Sequence, residues 1–170
     1  MNALEMERMK SILSVGENVA VEFKRCGNGV PHDVYESICS FLNRFGGDLF
    51  MGILDDGTVS GVPEKAAPDM VKNFISCVSN PAMFSPTVYL SPEILEYEGK
   101  IVIHVHVPSS AEVHSYKGII YDRVHDSDIK VTSTSQIAQM YIRKQDVFTE
   151  RKIYPYVKTE DLRLYLLPKL

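Results

Sequence analysis

Glu17 and Glu22 bracket the stretch "ENVAVE", and Asp55 follows directly on the apolar run "LFMGIL". Three carboxylates gathered at one rim would suit a hard divalent cation, Mg²⁺ or Mn²⁺, which prefers carboxylate and water oxygens. Such an ion beside a phosphodiester polarises the phosphoryl oxygen and activates water. Lys24 shares a strand face with Glu22 and could contact the phosphate. The same residues have a plainer account. Glu17 would be a surface side chain, Glu22 would pair with Lys24, and Asp55 and Asp56 would be turn residues before Gly57, where Asp is favoured for its local hydrogen bonds. Positions five apart point to opposite faces of a strand and lie about 140° apart on a helix. Neither element brings Glu17 and Glu22 together, so their convergence needs the chain to fold back near Gly16, which tolerates the required backbone angles.

The elements that would position these groups follow from the hydrophobic pattern. Leu4, Met6, Met9, Ile12, Leu13 and Val15 fall at helical spacing, with Gly16 as the stop. In "VAVEFK", Val19, Val21 and Phe23 alternate with Ala20, Glu22 and Lys24, which predicts a half-buried strand. Pro31 opens a helix with Val34, Tyr35, Ile38, Phe41, Leu42 and Phe45 on one stripe, closed by Gly46 and Gly47. "DLFMGIL" reads as a strand buried on both faces, and the three acids would gather at one rim if it lies next to "VAVEFK". "DDG" makes a tight turn into "TVSGV", a helix spans 66–79, and "TVYLSPEILEYEGKIVIHVHV" reads as strand, turn and strand. "VHSYKGIIYDRV" predicts a hairpin around Lys117 and Gly118. Ser133 or Ser135 caps a helix over 136–145, and a last helix covers about 159–167. The order predicts a mixed α/β (α+β) fold, one domain whose mixed sheet contains antiparallel hairpins flanked by helices. Residues 1–150 form that domain, and 151–170 form a C-terminal helical extension. The apolar tail carries the expectation that the chain is one module of a longer protein.

Composition bounds the function. The chain of 170 residues is 45% hydrophobic and 24% charged, ordinary for a soluble globular domain. Its longest apolar runs fall short of the ~18 residues of a membrane span, and the N-terminus has no secretory pattern. Cys26, Cys39 and Cys77 are few, odd in number and free of C-x-x-C spacing, which points to reduced thiols in a cytoplasm. A net charge of −4 argues against a wholly basic nucleic-acid binder, so any phosphate contact must come from a local patch.

The blocks "ENVAVEFK" at 17–24, "FLNRFGGDLFMGILDDGTVSGV" at 41–62, "GKIVIHVHVPSS" at 99–110 and "HSYKGIIYDRV" at 114–124 resemble, in order, the Schlafen AlbA-type domain. The resemblance covers most of residues 12–148. It implies a nucleic-acid-binding, DNA-binding module of bacterial transcriptional regulators. It also implies an alternative, because some animal Schlafen proteins cleave RNA with three carboxylates and a divalent metal. Glu17, Glu22 and Asp55 match those acids, which would make them both metal ligands and catalytic residues of an endoribonuclease. The departures are local. Tyr121 and Arg123 stand where the family has Tyr-x-Arg, but "VHDSDIK" replaces a glycine-containing turn, and Asp126 and Asp128 would repel a phosphate backbone. The animal nucleases clasp RNA with two related lobes, so a single lobe would need a homodimer to form a comparable groove.

The nucleic-acid contacts expected are Lys24, Arg25, Arg44, Lys117 and Arg123, with Lys130 a lesser one. His104 and His106 form an H-x-H pair on one strand face, without a third ligand at a telling spacing. "RFGGDLFMG" lacks the Lys-Ser/Thr of a phosphate loop and precedes a strand, so it reads as a helix stop. The first reading is a cytoplasmic nucleic-acid-binding domain of a bacterial transcriptional regulator; the second is the metal-dependent endoribonuclease; the third is a protein-interaction or sensory domain.

Overall fold

The computed structural model describes residues 3–146. Helix α1 (Ala3–Val15) turns Met6, Met9, Ile12 and Leu13 onto Phe23, Phe50, Ile53, Tyr97 and Val102. Val15, at the last position of α1, leaves that stripe and is 70% exposed. Strand β1 (Val21–Lys24) leads into α2 (His32–Asn43), and β2 (Gly47–Met51) returns parallel to β1. Pro31 occupies the N-cap position of α2, where a missing N–H costs nothing. At the other end, Gly46 has φ +75° and its N–H bonds to Phe41 O at 2.9 Å. A Cβ there would lie 2.5 Å from Val107 O, so both conformation and close approach require glycine.

A short hairpin through Ile53 and Val59 follows, then α3 (Ala67–Val78), β3 (Phe84–Ser85), β4 (Glu93–Tyr97) and β5 (Lys100–Val107). The chain continues through β6 (Ser115–Tyr116), β7 (Ile120–Val124), β8 (Ser127–Val131) and α4 (Thr134–Asp146). The main sheet has the order β1-β2-β5-β4, with β1 and β2 parallel and the remaining pairs antiparallel. Leu49, Met51, Ile103, Val105 and Val107 pack from one face onto residues of α2 and α3. Phe23, Phe50 and Val102 pack from the other face onto α1. Burial on both faces accounts for the apolar run Leu49–Met51 of β2. The β7–β8 hairpin lies against α2, and α4 joins it through Ile137 and Met140 against Ile120 and Val131.

The fold is the mixed α/β arrangement with antiparallel hairpins that the pattern predicts. Three details differ. Residues 87–90 form no strand. Phe45 lies beyond the end of α2, off its apolar stripe, and is 71% exposed. The Lys117 and Gly118 turn closes as expected, with Tyr116 and Ile119 exchanging backbone hydrogen bonds of 2.9 and 3.0 Å. However, β6 pairs with β3, and β7 finds its partner in β8. The helix expected at 159–167 and the extension 151–170 lie outside the described residues.

Candidate functional site

The reversal near Gly16 is present. Asn18 and Val21 exchange backbone hydrogen bonds of 3.0 and 3.4 Å, and Ala20 N–H donates to Asn18 Oδ1 at 2.9 Å. This turn lays Glu17 alongside β1, where Phe23 N–H donates to Glu17 Oε1 at 2.9 Å. Partial burial raises the Glu17 carboxyl above its usual range; repulsion from Glu22 and Asp55 adds to this, against the Phe23 N–H. The three acids therefore share one electrostatic field.

They do not share a ligand set. Glu22 is 4% exposed, with Oε1 2.5 Å from Lys24 Nζ and Oε2 2.5 Å from Arg123 Nη2. Both of its oxygens are engaged by cations, while Asp55 is exposed at a turn. Among the described residues, no group of three or more His, Cys, Asp or Glu is placed to hold a metal ion. As they stand, Glu17, Glu22 and Asp55 do not fit Mg²⁺ or Mn²⁺.

Arg123 explains the burial of Glu22. Phe23 faces α1, so Glu22 and Lys24 face the opposite layer, built by α2 and the β7–β8 hairpin. Arg123 enters that layer with a fully buried side chain. It donates to Glu22 Oε2, to Asn18 O at 2.9 Å and to Asp128 Oδ1 at 2.9 Å, and its guanidinium lies 4.8 Å over the Phe41 ring. Asp128 stands opposite Arg123 in the hairpin register and also accepts from Ser37 Oγ at 2.5 Å and from Ser40 Oγ. Burial opposes the Arg123 charge, yet Glu22 and Asp128 raise its pKa beyond the ordinary value. Lys24 behaves alike: burial lowers, while Glu22 and then Asp33, 3.5 Å away, raise it overall. An alternating chain of charges thus runs Asp33, Lys24, Glu22, Arg123, Asp128.

This chain redistributes the expected contacts. Arg123 has no face toward solvent and cannot meet a phosphate while its ion pairs stand. Asp128 points inward and repels nothing outside, whereas Asp126 is exposed. Arg44 forms a two-point pair with Asp122 at 2.9 and 2.7 Å, which Arg143 joins at 3.3 Å. Arg25, Lys117 and Lys130 are exposed. Lys117 Nζ lies 3.4 Å from His32 Nδ1, which Tyr116 Oη also meets at 3.0 Å. His32 and Asp33 are the first residues of α2. Lys117 reaches one and Lys24 the other, so two basic residues stand at the positive end of α2, and exposed Arg25 follows Lys24 in the chain.

The sequence matches the model of the "Schlafen, AlbA_2" family over residues 17–132. The chain belongs to the Schlafen AlbA_2 family. Among solved structures, the AlbA_2 domain is similar to the DIP2311 protein from Corynebacterium diphtheriae, at 19% identity and a TM-score of 0.59. That match covers 84% of this chain and 32% of DIP2311, so the chain spans about a third of that protein's length. A second likeness is to the N-terminal domain of an ATP-dependent DNA helicase RecG-related protein from Nitrosomonas europaea. It has 23% identity and a TM-score of 0.47, over 78% of this chain and 95% of that one. No curated protein matches the chain.

A second polar cluster of the AlbA_2 domain escaped sequence reasoning. Asp48 Oδ1 lies 2.7 Å from His104 Nε2 and 3.0 Å from His106 Nδ1. Burial opposes the Asp48 charge, but both histidine hydrogen bonds hold its carboxyl below the usual range. His104 stacks on Phe50 with ring centres 4.6 Å apart. Asp48 is the hydrogen-bond partner that ties the H-x-H pair together, and only the β2–β5 register, which sets Asp48 opposite His106, reveals it. No helix among the described residues is long and apolar enough to cross a membrane.

Proposed function

We propose that this AlbA_2 domain binds nucleic acid at the rim where β1 meets α2, as the DNA-binding module of a bacterial cytoplasmic transcriptional regulator. One observation carries the reading: Lys24 and Lys117 meet Asp33 and His32 at the N-terminal end of α2, with exposed Arg25 next to Lys24 in sequence, in a chain whose net charge is −4. A helix N-terminus and exposed ammonium and guanidinium groups favour phosphate together. Family kinship supports the same reading. Arg44 and Arg123 act within the fold, holding Asp122, Glu22 and Asp128, and the contacts assigned to nucleic acid are Arg25, Lys117 and Lys24. A homodimer would double this footprint to match a duplex.

The test is a salt titration of the binding of a fluorescent duplex DNA and of a single-stranded RNA. Charge reversal at Arg25 or Lys117 is expected to lower affinity and to reduce the slope of log K against log salt by about one per lost phosphate contact. Binding that ignores salt, or no binding to either polymer, would refute the reading.

A divalent-ion endoribonuclease is a second reading, favoured by the repulsion that Glu17 feels from Glu22 and Asp55. It requires Lys24 and Arg123 to release Glu22. Mn²⁺-dependent cutting of RNA that disappears in Glu22→Gln would support it, and undiminished cutting in that variant would exclude it.

A further inference from the structure

Strands β2, β5 and β4 turn a row of polar side chains onto the sheet face that α1 covers. Strand alternation puts Asp48 on the side of Phe50, and the register sets His104 opposite Phe50 and Glu93 opposite His104. Asp48 fixes the His104 ring. A carboxylate only accepts, so in the neutral imidazole the Nε2 that lies 2.7 Å from Asp48 Oδ1 carries the hydrogen, and Nδ1 keeps its lone pair. The stack on Phe50, with ring centres 4.6 Å apart, holds the ring plane. Nδ1 then faces a second acceptor, Glu93 Oε2, at 3.9 Å. Two acceptors at that separation leave a gap that one ammonium group closes, standing about 2.8 Å from each.

These same groups line a cavity of about 250 Å³ between the sheet and α1. Asp48, Glu93 and His104 form its polar wall, and Arg8 adds a cation from the helix side. Met9, Ile12, Phe50 and Leu95 form its apolar wall. The volume lies below the roughly 300–1,000 Å³ of sites for drug-sized ligands, so the occupant is small. Its charges must suit both signs. An amine alone would meet the Arg8 guanidinium, and an acid alone would meet the Asp48 and Glu93 carboxylates, so a zwitterion is favoured over either.

We propose that this cavity binds a free α-amino acid with an aliphatic side chain. The ammonium bridges His104 Nδ1 and Glu93 Oε2, the carboxylate pairs with Arg8, and the side chain lies against Met9, Ile12, Phe50 and Leu95. Asp48 acts as a positioning residue, keeping the His104 lone pair turned toward Glu93. The site uses the α1 face of the sheet, whereas α2 packs on the other face, so it stands independently of the nucleic-acid rim.

The experiment is isothermal titration calorimetry of the whole chain at about pH 7.5, above the ordinary histidine range. The probes are leucine, isoamylamine (leucine without its carboxylate) and isocaproate (leucine without its amine). Leucine is expected to occupy one site per chain and to bind at least about tenfold more tightly than either analogue, since one charge-assisted hydrogen bond is worth that factor. Glu93→Gln should weaken leucine and isoamylamine about tenfold and leave isocaproate no weaker. Arg8→Gln should weaken leucine and isocaproate and leave isoamylamine no weaker. Both side chains are exposed, so neither substitution threatens the fold. No binding of leucine, an analogue bound as tightly as leucine, or leucine affinity unchanged in either variant would overturn the proposal.

Discussion

Replacing Arg123 with methionine keeps a long side chain in place and deletes the cation between two buried acids. Glu22 is 4% exposed and would keep only Lys24. Asp128 would keep its two serine hydroxyls, and Asn18 O would lose its 2.9 Å donor. Removing one partner of a buried ion pair costs ~3–5 kcal/mol, because the remaining charge is stranded away from water. A domain of this size has a total stability of about 5–15 kcal/mol, so the variant should lie near the edge of folding. At roughly 2–4 °C per kcal/mol, the melting temperature should fall by roughly 6–20 °C. Urea unfolding followed by circular dichroism measures the loss. Adding Glu22→Gln to the same variant should restore part of it, because the stranded carboxylate is then gone. A loss within ~0.5 kcal/mol, as for a surface substitution, would refute the view that Arg123 is an internal counter-ion and would return it to the candidate phosphate contacts.

Glu17→Gln keeps an oxygen for Phe23 N–H and removes the repulsion from Glu22 and Asp55, so it should stabilise the domain at pH 7 by less than ~1 kcal/mol, the site being partly open. Because the folded pKa of Glu17 is raised above 4.5, that advantage should shrink as the pH falls from the folded value toward 4.5; a constant difference would contradict the assignment. Lys144 has the opposite sign of shift, from 10.5 down to about 8, so the folded state resists its charge. The wild type should gain on Lys144→Met as the pH rises from about 8 to 10.5, by up to ~3 kcal/mol, read from urea midpoints at each pH; a gap that narrows would be contrary. Asp48→Asn loosens the tie between His104 and His106, and should cost less than ~1 kcal/mol in the same assay, since the cluster is open to water on the His106 side.

The elements were legible wherever a local rule acts alone. Pro31 with the stripe through Val34, Ile38 and Phe41 defined α2, and the apolar run from Leu49 defined β2. The turn at Glu98 and Gly99, both at positive φ, was readable from "EGK". What escaped was the identity of the covering layer. Alternation in "VAVEFK" placed Phe23 inside and Glu22 outside, yet α2 and the β7–β8 hairpin cover the second face too. Sequence could not assign Arg123 to Glu22, 101 positions away. Its other partner was closer to view: Arg123 and Asp128 flank a tight turn and stand opposite each other, an ion pair across a hairpin that the notion of a repelling acidic loop concealed. Among the acids, the reversal at Gly16 was foreseeable from glycine, but the commitment of both Glu22 oxygens to cations was not, because it depends on the tertiary position of Arg123.

The most direct test of the binding account is a nuclear magnetic resonance titration of the domain with a short duplex oligonucleotide at low salt. Amide shifts are expected to concentrate at residues 24–34 and 116–118, around the start of α2, and to fade as salt is raised. Shifts confined to the face carrying Asp48, His104 and His106, or spectra left unchanged by the duplex, would contradict the account.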